Sequence, residues 1–324
     1  MFRIRLVPTK TSIPFMRHRV AAFVISVALI IASIGLYAGK GLNYGIDFEG
    51  GILIEVGSDQ ALDIGKMRSA LSNLGLGEVA LQEFGRDTDV LIRVERQPGD
   101  STAQQVAVDA VKASLAKEIS SKLSYRRVEF VGPKVSAELV EAGTMAMLLA
   151  VAAMLIYIWF RFEWQFSIGA VLALVHDVIL TIGVFSLLGL EFNLSIIAAI
   201  LTIIGYSMND TVVIYDRIRE NLRRYRTMPL EDLLDLSVNE TLARTAMTSV
   251  TTMLALLTLF FFGGEVIHGF TFAMMWGVVV GTYSSIFVAG PLLLYFGLRR
   301  TDDGAGKDDP SVAKGDSQAI EHVD

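Results

Sequence analysis

The chain has 324 residues, 52% of them hydrophobic, with a formal net charge of −6 and no cysteine. It is too apolar for an ordinary soluble protein and long enough for a membrane bundle with one small additional domain. The lack of cysteine excludes disulfides and thiolate metal sites, histidines scattered at 18, 176, 268 and 322 argue against a metal cluster, and the charge balance argues against nucleic acid as a partner.

Residues 1–19 carry Arg3, Arg5, Lys10, Arg17 and Arg19 ahead of an uncharged run, 20–38, which reads as a first membrane span behind a cytoplasmic N-terminus. The run is longer than the apolar region of a typical signal peptide and lacks a clear A-x-A site, so an uncleaved anchor is expected. From 40 to 141 the composition turns polar. Ile52–Val56, Val79–Phe84, Val90–Val94 and Arg126–Val131 have strand-like β-branched content, while Leu62–Leu74 and Ala103–Leu123 repeat at helical spacing. The order β-α-β-β-α-β predicts a ferredoxin-like α+β domain, with Gly85 and the Arg86-Asp87-Thr88-Asp89 run as its central turn. It holds no histidine and no Ser/His/Asp set, so no catalysis is expected of it.

The segment leading into this domain, Gly45-Ile46-Asp47-Phe48-Glu49-Gly50-Gly51, sets carboxylates among glycines that permit unusual backbone angles. Asp47, Phe48, Gly50 and Gly51 read either as a hinge or docking loop or as the turn into the first strand. Five further apolar runs follow, at Ala142–Phe160, Phe166–Leu190, Asn193–Ile214, Ala246–Gly263 and Gly269–Leu298, each able to cross a ~30 Å core with about 20 residues. Residues 142–298 thus supply five more spans, for a total of six. With the N-terminus inside, the domain lies outside, and Arg161, the arginines at 217, 219, 223, 224 and 226, and Arg299–Arg300 all fall inside. The acidic tail, 299–324, reads as disordered.

Several polar groups interrupt the apolar runs. Asp210 is the residue to explain, because a carboxylate at bilayer depth costs roughly 2.5–3.5 kcal/mol on insertion scales and is usually kept for an ion path, a proton relay or a buried partner. Tyr206 lies one turn before it and Asn209 beside it. Arg244 opens a hydroxyl-rich helix antiparallel to that of Asp210, and an ion pair between them, direct or through water, would lower the burial cost of both. His176-Asp177 in the third span adds a second carboxylate to a possible path. The pairs Gly277-x-x-x-Gly281 and Gly35-x-x-x-Gly39 would let helices approach closely. No nucleotide-binding pattern occurs, so coupling to an ion gradient is the expected source of work.

Taken together, the run Gly205-Tyr-Ser-Met-Asn-Asp-Thr-Val-Val-Ile-Tyr-Asp-Arg-Ile-Arg-Glu-Asn221, the loop Gly45 to Gly51 and the run Glu240 to Thr252 closely resemble the SecF family of the bacterial Sec translocase, relatives of the resistance-nodulation-division (RND) transporters. The resemblance covers about residues 10–300. It implies an inner-membrane protein of six transmembrane helices, an RND-like half, with one periplasmic ferredoxin-like domain and both termini cytoplasmic. It further implies pairing with SecD, association with the SecYEG channel, and use of the proton gradient to help draw unfolded secreted polypeptide outward, with no cofactor and no enzymatic step. In that family the aspartate and arginine matching Asp210 and Arg244 are linked to proton conduction; Asp177 has no such assignment.

Overall fold

The computed structural model describes residues 11–99, 101–119 and 122–298; the tail at 299–324 and the basic residues Arg3, Arg5 and Lys10 lie outside these. Among the described residues, six helices are long and apolar enough to cross a membrane. The first, α1, runs Arg19–Lys40 and stops at Gly41, whose φ of 73° no longer suits a helix. A two-residue strand β1 (Asn43–Tyr44) and a one-turn helix α2 (Ile46–Glu49) lead into β2 (Gly51–Gly57), α3 (Ile64–Ser72), β3 (Val79–Phe84), β4 (Arg86–Val94), α4 (Ser101–Glu118) and β5 (Ser124–Val131).

Strands β2 to β5 form one antiparallel sheet in the order β3-β4-β2-β5. Alternation decides what each face does. Ile52, Ile54 and Val56 of β2, with Val90, Ile92 and Val94 of β4, point to the helix side and are buried with Met67 and Leu71 of α3 and Val108, Val111 and Leu115 of α4. On the opposite face Leu53 and Leu91 pack with Ile46 of α2, which is where the domain meets the bundle.

The bundle follows as α5 (Pro133–Arg161), α6 (Trp164–Leu188), a two-residue strand β6 (Glu191–Phe192), α7 (Leu194–Arg224), α8 (Leu230–Phe262) and α9 (His268–Ser284). The last span does not end at Ser284. It widens into a π-helical turn, Ser285–Ala289, and finishes as α10 (Gly290–Tyr295). Pro133 at the first turn of α5 and Gly189 in the left-handed conformation after α6 set two of the helix boundaries.

Several helices run past the apolar stretches that mark them. α5 starts nine residues before Ala142, and α8 starts sixteen before Ala246. The apolar run measures only the membrane-embedded part, whereas the backbone keeps its hydrogen bonds by continuing the helix into water. The extension of α8 is seated by chain from the N-terminal side. The Met16 N–H donates to Asp235 Oδ1 at 2.8 Å, Ile13 N–H donates to Asn239 Oδ1 at 2.9 Å, and Arg19 pairs with Glu231.

α7 and α9 form the middle of the bundle, and glycine makes this possible. A methyl group at Gly281 would stand 2.9 Å from Ser207 Cβ, and one at Gly277 would run into Ile203. The Gly35 and Gly39 pair on α1 differs from expectation, because nothing among the described residues comes within 4 Å of the Cβ position at either glycine.

Candidate functional site

Two carboxylates are buried within the bundle, Asp177 on α6 at 1% exposure and Asp210 on α7 at 7%. Each is held by hydroxyl groups. Asp210 accepts from Thr245 Oγ1 of α8 at 2.5 Å on one oxygen and from Ser285 Oγ at 2.5 Å on the other. Asp177 accepts on Oδ2 from Ser207 Oγ of α7 at 2.6 Å and from Ser284 Oγ of α9 at 2.8 Å, and its Oδ1 meets His176 Nδ1 at 2.9 Å. A buried carboxyl group is tolerated where its oxygens are hydrogen-bonded, and hydroxyls do this without adding a counter-charge.

The π turn explains how one helix serves both sites. Ser284 closes the regular part of α9 and reaches Asp177, while Ser285 opens the widened turn and reaches Asp210. Single π turns recur at functional sites because they redirect neighbouring side chains. The carbonyl of Ala289 at the end of this turn accepts from Tyr215 Oη at 3.1 Å, deep in the core.

Tyr206 stands half-buried beside the Asp210 site and donates to Ser249 Oγ at 3.4 Å, and Ser249 in turn contacts Thr282 Oγ1 at 2.8 Å. Asn209 and Arg244 do not join the cluster. Asp210 and Thr245 face inward, so the residues just before them are turned about 100° around their helices and both side chains are exposed. Among the described residues Arg244 makes no ion pair with Asp210. Arg217 pairs instead with Glu240 at 2.7 Å and with Glu220 at 2.5 Å, well away from Asp210.

The serines at 284 and 285 escaped the sequence reading, though a signal for one existed. Gly277, Gly281 and Ser284 fall on one helical stripe, so the close approach expected of the glycines also carries Ser284 against α7.

The loop from Gly45 to Gly51 forms a joint between the domain and this bundle. Asp47 Oδ2 accepts the backbone N–H of Leu194 at 2.9 Å and so caps the first turn of α7, the helix that carries Asp210. Ser136 Oγ of α5 donates to the Asp47 carbonyl at 2.9 Å. Phe48 packs on Tyr44 and Phe192 with centroids 6.0 and 5.9 Å apart. Gly51 has a φ of 118°, and a methyl there would meet the Val94 carbonyl at 2.7 Å. Gly50, at φ 73°, turns α2 into β2.

Beside the loop, β1 pairs in parallel with β6, Asn43 opposite Glu191 and Tyr44 opposite Phe192. Arg93 of β4 reaches across from the domain, donating to Asn43 Oδ1 at 3.0 Å and to the Tyr44 carbonyl at 2.6 Å, with Glu191 Oε2 3.8 Å away. Burial pushes the Glu191 carboxyl above its usual value of 4.5, and the positive charge of Arg93 opposes this.

The class is therefore a multi-pass membrane protein, with six candidate spans among the described residues, whose α+β domain, inserted behind the first of them, is joined to the helix bearing a buried carboxylate. A family model described as "Protein export membrane protein SecD/SecF, C-terminal" matches residues 111–299, and one described as "SecD/SecF GG Motif" matches residues 38–62. The chain is 49% identical over 305 residues to the protein translocase subunit SecF of Rickettsia felis, covering 93% of this chain and 97% of the relative. It is 48% identical over 322 residues to the subunit of the same name from Rhodobacter capsulatus, covering 96% of each. A crystal structure of SecDF from Thermus thermophilus, described as a translocon-associated membrane protein, superposes with a TM-score of 0.82 at 35% identity over 92% of this chain. A second SecDF structure, in a super-membrane-facing form, gives 0.63 at 33% over 91%. The chain spans 40% of the length of each of these SecDF chains. This chain belongs to the SecD/SecF family of protein export membrane proteins.

Proposed function

We propose that the chain is the SecF-type, non-enzymatic half of a proton-driven accessory to the bacterial Sec translocase. In this reading it pairs with SecD, associates with the SecYEG channel and uses the proton motive force to help draw unfolded secreted polypeptide out of the cell. The observation that carries it is Asp210, a carboxylate within a span, held by two hydroxyls and no direct cation. Thr245 and Ser285 support the anion, and because hydroxyls can also accept, they serve the protonated acid equally well. Arg244 supplies the cation whose approach favours the ionised state. One charge crossing 100 mV releases about 2.3 kcal/mol, so a few such events suffice to move a domain between two positions.

Pairing with SecD is supported by what the single chain leaves uncovered. Asn209 on α7 and Arg244 on α8 are exposed within membrane helices, where lipid tails offer an amide or guanidinium nothing. A homologous second half is the natural cover. The β-α-β-β-α-β domain is read as ferredoxin-like and periplasmic, meeting SecD or client chain through its sheet edges. The protein is placed in the bacterial inner membrane with both termini cytoplasmic, and it requires no cofactor.

The test is secretion into membrane vesicles with and without an imposed proton gradient. Asp210→Asn keeps the size of the side chain but cannot release a proton, so it should leave insertion and SecD binding intact and remove the gradient-dependent part of transport. Arg244→Met should act in the same sense. A full gradient response from Asp210→Asn would make the chain a passive scaffold, and failure to co-purify with a homologous six-span subunit would favour a small-molecule exporter half of the RND type.

A further inference from the structure

His176 is 1% exposed, and its Nε2 has no hydrogen-bond partner among the described residues. A buried nitrogen carrying a proton would need an acceptor, so the ring is drawn with the proton on Nδ1, directed at Asp177, and with a bare lone pair on Nε2. Three donors converge on Asp177, two serine hydroxyls and this ring, which suits an ionised carboxylate. The pair therefore has room for one more proton, delivered to Nε2 by a water molecule that then accepts the new N–H, and taking it up there would turn a hydrogen bond into an imidazolium–carboxylate ion pair.

Ser284 and Ser285 connect this pair to Asp210, because each hydroxyl has a second acceptor within reach. Ser284 Oγ lies 2.8 Å from Asp177 and 3.2 Å from the Gly281 carbonyl, and Ser285 Oγ lies 2.5 Å from Asp210 and 3.1 Å from the Thr282 carbonyl. When a carboxylate gains a proton, the acid O–H donates to the serine oxygen and the serine proton turns to its own helix carbonyl. The two serines are consecutive where α9 passes into the π turn, so both carboxylates bear on one short stretch of backbone. Ser207 ties the sites from the other side, bonding Asp177 from the turn of α7 that precedes Asp210.

We infer that His176 and Asp177 form a second proton-binding site inside the bundle, coupled to Asp210 through the consecutive hydroxyls of Ser284 and Ser285. The inference rests on the proton-driven reading of Asp210. The proton comes from water under the membrane gradient, and no electron moves. The other titratable or charged groups around the pair are Asp210 on α7, Tyr283 on α9, whose ring stacks on His176 with centroids 6.0 Å apart, and the exposed Arg244 on α8. From α1 the hydroxyl of Ser26 and the carbonyl of Ala22 are bonded to Tyr283.

The experiment follows the carboxylic-acid carbonyl band by infrared difference spectroscopy across pH, on the full chain with its co-purified partner in lipid bilayers. Asp210→Asn identifies the Asp210 band by its loss. In Asp177→Asn and in His176→Gln the midpoint of that band should move by about one pH unit, the scale of two interacting sites. Ser284→Ala should move it less, and Asp177→Glu should restore it. An Asp210 midpoint unchanged in both Asp177→Asn and His176→Gln overturns the second site while leaving the Asp210 reading intact. If Asp177→Asn does not fold, His176→Gln and Ser284→Ala decide on the same criterion. An Asp210 band that does not titrate in the parent protein overturns both.

Discussion

Asp47 and Glu191 show how single side chains hold the domain to the bundle. Asp47 satisfies an N–H that α7 cannot satisfy itself, so Asp47→Ala should cost about 1 kcal/mol, within the usual range for a lost helix cap, and lower the thermal midpoint of the purified protein. Asp47→Asn, which keeps an acceptor oxygen, should cost less. Glu191 makes a prediction in pH. Its folded carboxyl holds a proton longer than the unfolded chain does, so its contribution is fully present below about pH 4.5 and is lost as the pH rises through its raised folded value. Thermal midpoints measured across that window should fall for the parent and stay flatter for Glu191→Gln. Parallel curves would mean that the group titrates alike in both states.

Among elements, the contact of α7 with α9 is fixed by glycine and the lipid-facing side of α1 is not. Gly277→Ala should destabilise by about 1–3 kcal/mol through forced repacking against Ile203, whereas Gly35→Ala should stay within about 0.5 kcal/mol. Thermal unfolding of the two variants side by side checks this, and equal losses would contradict it. The two glycine pairs look alike in sequence, and only the packing partner distinguishes them. The spans were legible because an apolar run of about 20 residues has few other uses. The helix ends at Pro133 and Leu230 were not, because there the backbone continues into water without the hydropathy that announced it. Asp210, Asp177 and Tyr206 could be picked out because polar groups at membrane depth are rare. The inward turn of Thr245 and Ser285 in place of Arg244 depends on the rotation of two helices, which no single run of residues specifies.

At the level of the whole molecule, the proposed topology puts β3 and β4 on one side of the membrane and the α7–α8 connection on the other. Because the chain has no cysteine, Asp87→Cys and Thr227→Cys give clean probes, and an impermeant thiol reagent should label them from opposite sides. Labelling of both from one side would overturn the span count. The joint at Asp47 also has a history in time. Its two halves, Asp47 and Leu194, are 147 residues apart in the chain, whereas the core of the domain draws on residues 52–125 alone. At a synthesis rate of about 5–20 residues per second, the partner of Asp47 is made roughly 7–30 s after it, long after a small mixed α/β domain can fold. The domain is thus finished before its seat exists, and assembly ends with the clasp between Asp47 and α7. A ribosome stalled between α5 and α7 would leave a folded head tethered by two helices, with the Asp47 carboxylate still waiting for Leu194 and Arg93, already bonded to Asn43 and Tyr44, still waiting for Glu191.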